Sequence, residues 1–123
     1  MYRLAITRDF VAQHYLTGGD WGAENQRHSH HYRVEVLIRG GELDRHGYVV
    51  DIVEVERVLN GVIAEVRDRT LNELEVFQDL NPSLERFARF IWTRLSGASV
   101  LSGRGLGVKL WENATDWAAY GEE

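Results

Sequence analysis

Four of the five histidines lie between positions 14 and 31, and two of them form the motif His28-Ser29-His30. Side chains alternate between the two faces of a strand, so a His-x-His pair presents both imidazoles on one side. His14 belongs to a separate predicted strand and could supply a third ring. Three imidazole nitrogens with one open position are typical of catalytic zinc sites. The pattern predicts a metal site, and the alternative is a set of partly exposed strand-end histidines that bind nothing.

Alternating apolar residues predict the two strands that would carry these rings. The first is expected over 4–16, where the even positions are apolar except for Arg8 and where His14 has the same parity. The second ends at Gly40-Gly41, and its alternating apolar residues are Tyr32, Val34, Val36 and Ile38. His28 and His30 share that parity, so both rings should face inward at the open end of the strand.

Two amphipathic helices are predicted in the middle of the chain. The first begins near Asp51, because Asp51 and Glu54 resemble a capping box, and its apolar stripe is Ile52, Val55, Leu59, Val62, Ile63 and Val66. The second helix should have Pro82 in its first turn and Gly97 at its end. Its apolar stripe is Leu84, Phe87, Ala88, Ile91 and Leu95. The order ββααββ predicts one α+β domain over 1–123, an antiparallel sheet with both helices on one face.

A carboxylate lies at the end of the last predicted strand. Glu112 continues the parity of Leu106, Val108 and Leu110. Burying an unpaired carboxylate is costly, so a buried Glu112 would need matched donors. A flat heterocycle with an amino group and a ring N–H would supply them to both oxygens. If the strand has already reached solvent, Glu112 is an ordinary surface carboxylate, and parity alone favours that interpretation.

Composition excludes several classes of function. The net charge of −5, with both signs mixed along the chain, argues against a protein that follows nucleic-acid phosphates. No apolar run approaches the roughly 18 residues that span a bilayer, and no secretory signal opens the chain, so we expect no membrane partner and a cytoplasmic location. The chain has no cysteine, which excludes disulfides, thiolate ligands and a thiol base.

Taken together, these residues resemble the 6-pyruvoyltetrahydropterin synthase and 6-carboxytetrahydropterin synthase family. The resemblance covers nearly the whole chain, in order and with compatible spacing. The segments that carry it are Phe10-x-Ala12-x-His14, His28-Ser29-His30-x-Tyr32, Gly47-Tyr48-Val49-Val50-Asp51, Leu71-Asn72, Asn81-Pro82-Ser83-x-Glu85-x-x-Ala88 and Glu112. No single motif would be sufficient, but the set is specific.

The resemblance implies a T-fold, in which ββααββ subunits form barrel-shaped trimers that pair into a homo-hexamer with active sites between subunits. It implies Zn2+ bound by His14, His28 and His30, where the metal would polarise side-chain oxygens of the substrate. It also implies that Glu112 holds the ring of a pterin such as 7,8-dihydroneopterin triphosphate. The expected partner is therefore a small molecule and not a nucleic acid.

The chain departs from the family where proton transfer is expected. The family's cysteine, four residues before the His-x-His pair, is Glu24 here, and its Asp-His pair is replaced by Arg67 and Asp68. Glu24 could act as the base in place of cysteine, as in some branches of the family that carry glutamate there. Asp68 could relay a proton, although Arg67 beside it favours the ionised form. The alternatives are a solvated loop carboxylate at Glu24 and a charge cluster around Asp68.

Two functions remain open from the sequence. The first is a zinc-dependent pterin lyase or synthase with an altered acid–base set, whose product could be a 6-carboxy-, 6-pyruvoyl- or 6-hydroxymethyl-type pterin. The second is a non-catalytic pterin-binding homologue without metal, in which the chemistry is lost. An unrelated metallohydrolase is a third alternative, and the whole-chain resemblance opposes it.

Overall fold

Four antiparallel strands form one sheet in the computed structural model, which describes residues 1–122. In chain order the elements are β1 (Tyr2–His14), β2 (His28–Gly40), α1 (Ile52–Val66), α2 (Leu84–Ser96), β3 (Gly105–Trp111) and β4 (Trp117–Gly121). The strands lie in the sheet in the order in which they occur in the chain. The predicted α+β architecture with the order ββααββ is confirmed. No helix within 1–122 has the length and apolar character needed to cross a membrane.

One face of the sheet is buried beneath the helices. The apolar side chains of β2 that point to this face are at most 1% exposed, and they are Tyr32, Val34, Val36 and Ile38. The helices cover them with apolar stripes, which in α1 comprise Val55, Leu59, Val62, Ile63 and Val66 and in α2 comprise Phe87, Ala88, Phe90, Ile91 and Leu95. The alternation of a half-buried strand therefore fixes which side chains turn towards the core.

Strand register places the predicted site at one end of this buried face. His14 of β1 lies directly opposite His28 of β2, and Ala12 lies opposite His30. Directly paired and diagonal side chains on one face of a sheet lie within reach of each other. On the other side of β2, Arg33 pairs with Trp111, so Glu112 follows the last paired residue of β3 at the same end of the sheet.

The ends of three elements refine the sequence predictions. Asp51 caps α1 by accepting hydrogen bonds from the backbone N–H groups of Val53 and Glu54, which confirms the predicted start. The expectation of Pro82 in the first turn of α2 is wrong, because the Ser83 hydroxyl caps that helix and Pro82 precedes the cap. Strand β1 ends at His14 and not at position 16, since asparagine side chains replace a neighbouring strand beyond it.

Candidate metal centre

Three imidazole rings converge at the end of β1 and β2. The ring centroids of His14, His28 and His30 are 4.6, 4.9 and 4.8 Å apart, and the Nε2 atoms of His28 and His30 are 3.1 Å apart. One possible ligand atom from each ring, together with a carboxylate oxygen of Glu24, lies within 4.8 Å of the others. Neighbouring ligand atoms in a tetrahedral site with bonds of 2.0–2.1 Å are about 3.3 Å apart. The measured spacing therefore suits a metal ion.

Backbone carbonyl groups orient two of the rings. The Nδ1 atom of His14 is 2.9 Å from the carbonyl oxygen of Pro82, and the Nδ1 atom of His28 is 2.8 Å from that of Gln26. A carbonyl oxygen can only accept a hydrogen bond, so the proton of each neutral ring lies on Nδ1 and the lone pair lies on Nε2. Metal-binding histidines are commonly held in this way by a partner on the second ring nitrogen.

Acceptor atoms face one another at the centre of this group. The Nε2 atom of His28 lies 2.8 Å from a carboxylate oxygen of Glu24, and the buried Nε2 atom of His14 has no hydrogen-bond partner among residues 1–122. A proton shared between His28 and Glu24 would satisfy that pair but would leave the Nε2 atom of His14 without a partner. A cation between the four side chains satisfies all of them, so the donor set fits a divalent metal ion that prefers imidazole ligands.

Burial keeps the rings in the form that binds metal. Desolvation lowers the pKa of His14, and the neighbouring rings lower it further, although the hydrogen bond to Pro82 opposes this. Desolvation also lowers the pKa of His30, followed by the effect of His28. Both imidazoles are therefore neutral at pH 7, and their lone pairs are available without loss of a proton.

Glu112 lies beside the rings and is largely removed from solvent. One of its carboxylate oxygens is 3.8 Å from the Nε2 atom of His30, and its side chain is 25% exposed. Desolvation raises the pKa of Glu112, and the positive charge that His14 can carry opposes that change. The distance to His30 is too long for a hydrogen bond, so the carboxylate oxygens remain available to a ligand.

Glu24 reaches the rings from a short 3-10 turn, Gly22–Asn25, that is attached to the chain beyond β1. The backbone N–H of Leu16 donates to the carbonyl oxygen of Glu24 at 2.9 Å, and the side-chain amide of Asn25 donates to the carbonyl oxygen of Leu16 at 3.0 Å. These two bonds fix the backbone of the turn. The carboxylate of Glu24 stays half-exposed, yet it lies in contact with His28.

Two asparagine amides, to which the sequence pattern gives no role, hold the other edge of the same segment. Asn72 accepts a hydrogen bond from the backbone N–H of Tyr15 at 3.0 Å and donates to its carbonyl oxygen at 2.9 Å. Asn81 does the same for Thr17, at 2.8 and 3.0 Å. Each amide replaces the N–H and C=O of a neighbouring strand. Local patterns contain no signal for these pairs, because the partners are 57 and 64 residues apart in the chain.

Asp68 lies outside this cluster in the described subunit. It follows α1 in a left-handed backbone conformation with φ of 61°, and its backbone N–H donates to the carbonyl oxygen of Val11 at 2.7 Å. Its side chain is exposed and is not part of the possible ligand group. Within one subunit the structure therefore brings Glu24, but not Asp68, to the histidines, and the role of Asp68 stays a prediction.

The antiparallel sheet, its two covering helices and the histidine cluster at one end define a T-fold protein with a candidate metal centre. The sequence pattern of the 6-pyruvoyl tetrahydropterin synthase family matches residues 3–123, and the chain belongs to this family. The resemblance inferred from the motifs is confirmed.

Relatives within this family carry more than one name. The chain is 31% identical over 93 residues to a dihydroneopterin monophosphate aldolase of Pyrococcus furiosus, which is 76% of this chain and 74% of that protein. It is 28% identical over 116 residues to a protein of Archaeoglobus fulgidus that is provisionally named 6-carboxy-5,6,7,8-tetrahydropterin synthase, with 94% and 91% of the two chains covered.

Solved structures share the fold at lower identity. The 6-pyruvoyl tetrahydropterin synthase of Caenorhabditis elegans superposes with a TM-score of 0.86 at 24% identity, over 99% of this chain and 96% of that chain. A Plasmodium vivax 6-pyruvoyltetrahydropterin synthase, in a form whose catalytic glutamate is replaced by alanine, gives a TM-score of 0.78 at 14% identity, over 99% and 98% of the two chains.

Proposed function

We propose that this protein is a zinc-dependent enzyme that cleaves the side chain of a phosphorylated 7,8-dihydroneopterin and leaves a 6-hydroxymethyl-type pterin. The observation that carries the proposal is the position of Glu24, a carboxylate 2.8 Å from the Nε2 atom of His28 in a chain that has no cysteine. A carboxylate at this position, beside the rings that would hold the metal, is suited to act as a general base toward a hydroxyl of the substrate. The aldolase name of the Pyrococcus furiosus relative and the catalytic glutamate of the Plasmodium vivax protein support this choice.

The loss of the family's Asp-His pair favours cleavage over the more demanding reactions of the family. Aldol-type cleavage of dihydroneopterin requires one base at the side-chain hydroxyl of C2′, because the C6=N5 imine of the ring accepts the electron pair. Glu24 could supply that base alone. Elimination of triphosphate and rearrangement of the side chain require further proton transfers, for which the residues at those family positions are Arg67 and the exposed Asp68.

The residues of the site divide the reaction between them. Glu112 would accept the amino group and the ring N–H of the pterin, which fixes the ring beside the histidines. Zn2+ held by His14, His28 and His30 would supply Lewis acidity, which lowers the pKa of a bound hydroxyl. Glu24 takes the proton of the C2′ hydroxyl, the C1′–C2′ bond breaks, and its electron pair enters the imine. The C2′ fragment leaves as phosphorylated glycolaldehyde, and protonated Glu24 can return the proton to C1′.

The assembly is part of this proposal. Strands β1 and β4 are the two edges of the sheet, and β1 is 13 residues long. Long edges of this kind are normally covered in stable proteins. Pairing of β1 with β4 of another copy would continue the sheet, in agreement with the homo-hexamer that the family resemblance implies. Light scattering should then give six times the chain mass of 14.1 kDa.

Incubation with 7,8-dihydroneopterin monophosphate and triphosphate, followed by mass spectrometry, tests the reaction. We expect 6-hydroxymethyl-7,8-dihydropterin and phosphorylated glycolaldehyde from at least one substrate. Glu24→Gln should lower turnover by about 10²–10⁴-fold, as expected for loss of a general base, and should still bind pterin. Glu73→Gln, at an exposed carboxylate outside the possible ligand group, is the matched control and should retain turnover.

Other outcomes would assign the protein differently. A 6-pyruvoyl or 6-carboxy product would assign a parental reaction of the family and refute aldol cleavage. Pterin binding that depends on Glu112 but not on Glu24, without turnover by the zinc-loaded protein, would identify the non-catalytic pterin-binding homologue.

A further inference from the structure

We propose that Glu24 is the fourth ligand of the metal ion when no pterin is bound, so that the substrate must displace it. The inference rests on the proposed function, because it requires a metal ion at the histidine cluster. It adds a second role to Glu24, whose carboxylate would close the site at rest and become the base when it is displaced.

Two carboxylates, Glu24 and Glu112, lie beside the rings, and they differ in how well they are placed to bind a metal ion. The Glu24 oxygen is 2.8 Å from the Nε2 atom of His28, which is in turn 3.1 Å from that of His30. These separations are close to the roughly 3.3 Å between neighbouring ligand atoms of a tetrahedral metal site. Glu112 approaches His30 only to 3.8 Å and is not part of the possible ligand group. Of these two carboxylates, Glu24 alone joins the group whose ligand atoms, one from each of the three rings included, all lie within 4.8 Å of one another.

The charge of the metal ion and the fixed backbone of Glu24 favour the Glu24 carboxylate over a water molecule as the fourth ligand. Three neutral imidazoles leave the full charge of a divalent ion uncompensated, and an anionic oxygen within reach offsets part of it. The backbone of Glu24 is already fixed by its hydrogen bond from Leu16, and the neighbouring Asn25 is bonded to the same residue. Coordination therefore costs the ordering of one side chain and not of the loop.

Displacement would connect substrate binding to activation of the base. A side-chain hydroxyl of the pterin that enters the fourth position must move the Glu24 carboxylate aside. The freed carboxylate then lies next to the hydroxyl whose proton it accepts. Until that point, the closed coordination shell would exclude small anions and water from the metal.

Azide binding to the cobalt-substituted protein tests this role without an activity assay. Co2+ gives visible absorption that reports its ligands, and azide binds where a position is open. We expect Glu24→Ala to bind azide at least about tenfold more tightly than wild type, a change of about 1.4 kcal/mol. Glu24→Gln preserves the shape of the side chain and should open the site in the same direction.

A charge control distinguishes ligation from simple repulsion of the anion. Glu112→Gln removes one negative charge that also lies beside the rings, 3.8 Å from His30, and its azide affinity should stay within about threefold of wild type. Equal azide affinity in wild type and Glu24→Ala, or an equal gain in Glu112→Gln, would overturn the proposal.

Failure of this inference can be distinguished from failure of the proposed function. If cobalt and zinc both fail to bind the wild-type protein, the proposed metal chemistry fails and the inference fails with it. If metal binds and azide does not discriminate between the variants, only the role of Glu24 as a ligand is refuted. Circular dichroism of each variant establishes that the comparison is made between folded proteins.

Discussion

Replacing Asn72 by alanine perturbs the segment that carries the Glu24 turn without touching the histidines. The Asn72 amide makes two hydrogen bonds to the backbone of Tyr15, at 3.0 and 2.9 Å, in a partly buried position. A typical hydrogen bond contributes about 0.5–1.5 kcal/mol, and buried groups left unpaired cost more. We therefore expect Asn72→Ala to lower the free energy of unfolding by about 2 kcal/mol.

A second asparagine amide holds the backbone in the same way at a more exposed position, which predicts that its loss destabilises the protein less. Asn81 makes the same two backbone bonds to Thr17 and also accepts one from the Thr17 hydroxyl, but all three bonds are exposed and water can replace them. Asn81→Ala should therefore cost about 1 kcal/mol or less. Asn72→Asp should not restore stability, because it keeps the acceptor for the Tyr15 N–H but sets a second oxygen against the Tyr15 carbonyl.

Urea unfolding of the metal-free proteins measures these differences. Asn60→Ala is the matched control, since Asn60 lies exposed on α1 and its side chain accepts one long hydrogen bond, 3.4 Å, from Arg8. Its stability should stay within about 0.5 kcal/mol of wild type. An Asn72→Ala variant as stable as this control, or more stable than Asn81→Ala, would refute the argument that the amides replace a strand neighbour.

Substitutions at three further positions have expected outcomes. Burial raises the pKa of Glu112 above its ordinary value of 4.5, so ionisation of this carboxyl group is less favourable in the folded, metal-free protein than in the unfolded chain. Glu112→Gln should therefore be more stable than wild type at pH 7. In urea titrations below pH 4.5, where Glu112 is protonated in both states, this difference in stability should disappear. Asp68 has φ of 61°, so Asp68→Gly should unfold at the same or a higher urea concentration than wild type, whereas Asp68→Ala should lose about 1 kcal/mol. Gly121 has φ of 93°, and a Cβ there would meet the Trp92 ring and the Leu106 carbonyl oxygen, so calorimetry of Gly121→Ala should show a loss of about 2 kcal/mol or more.

Strand parity was sufficient to predict which histidines share a face. The inward parity of His28 and His30 follows from the alternation of their own strand, and His14 follows from that of β1. The sequence does not contain the register, which sets His14 opposite His28. Parity predicts the face, and strand pairing supplies the distances.

Contacts between distant parts of the chain lay beyond the sequence pattern. The carbonyl that orients His14 belongs to Pro82, 68 residues away, and the amide that holds Tyr15 belongs to Asn72. The apolar alternation continues past the end of β1, where Asn72 and Asn81 bond the backbone of Tyr15 and Thr17. Asp68 was proposed from the family position alone, and the exposed turn that contains it has no local signature of a site.

Metal content tests the central claim most directly. The purified protein, after reconstitution and removal of loosely bound ions, should contain about one zinc per chain. His28→Ala should lose that zinc, whereas His31→Ala should retain it, because His31 points to the opposite face of β2 near Asp9 and is 71% exposed. Absence of zinc from the wild-type protein, or equal zinc in wild type and His28→Ala, would contradict a metal centre at these histidines.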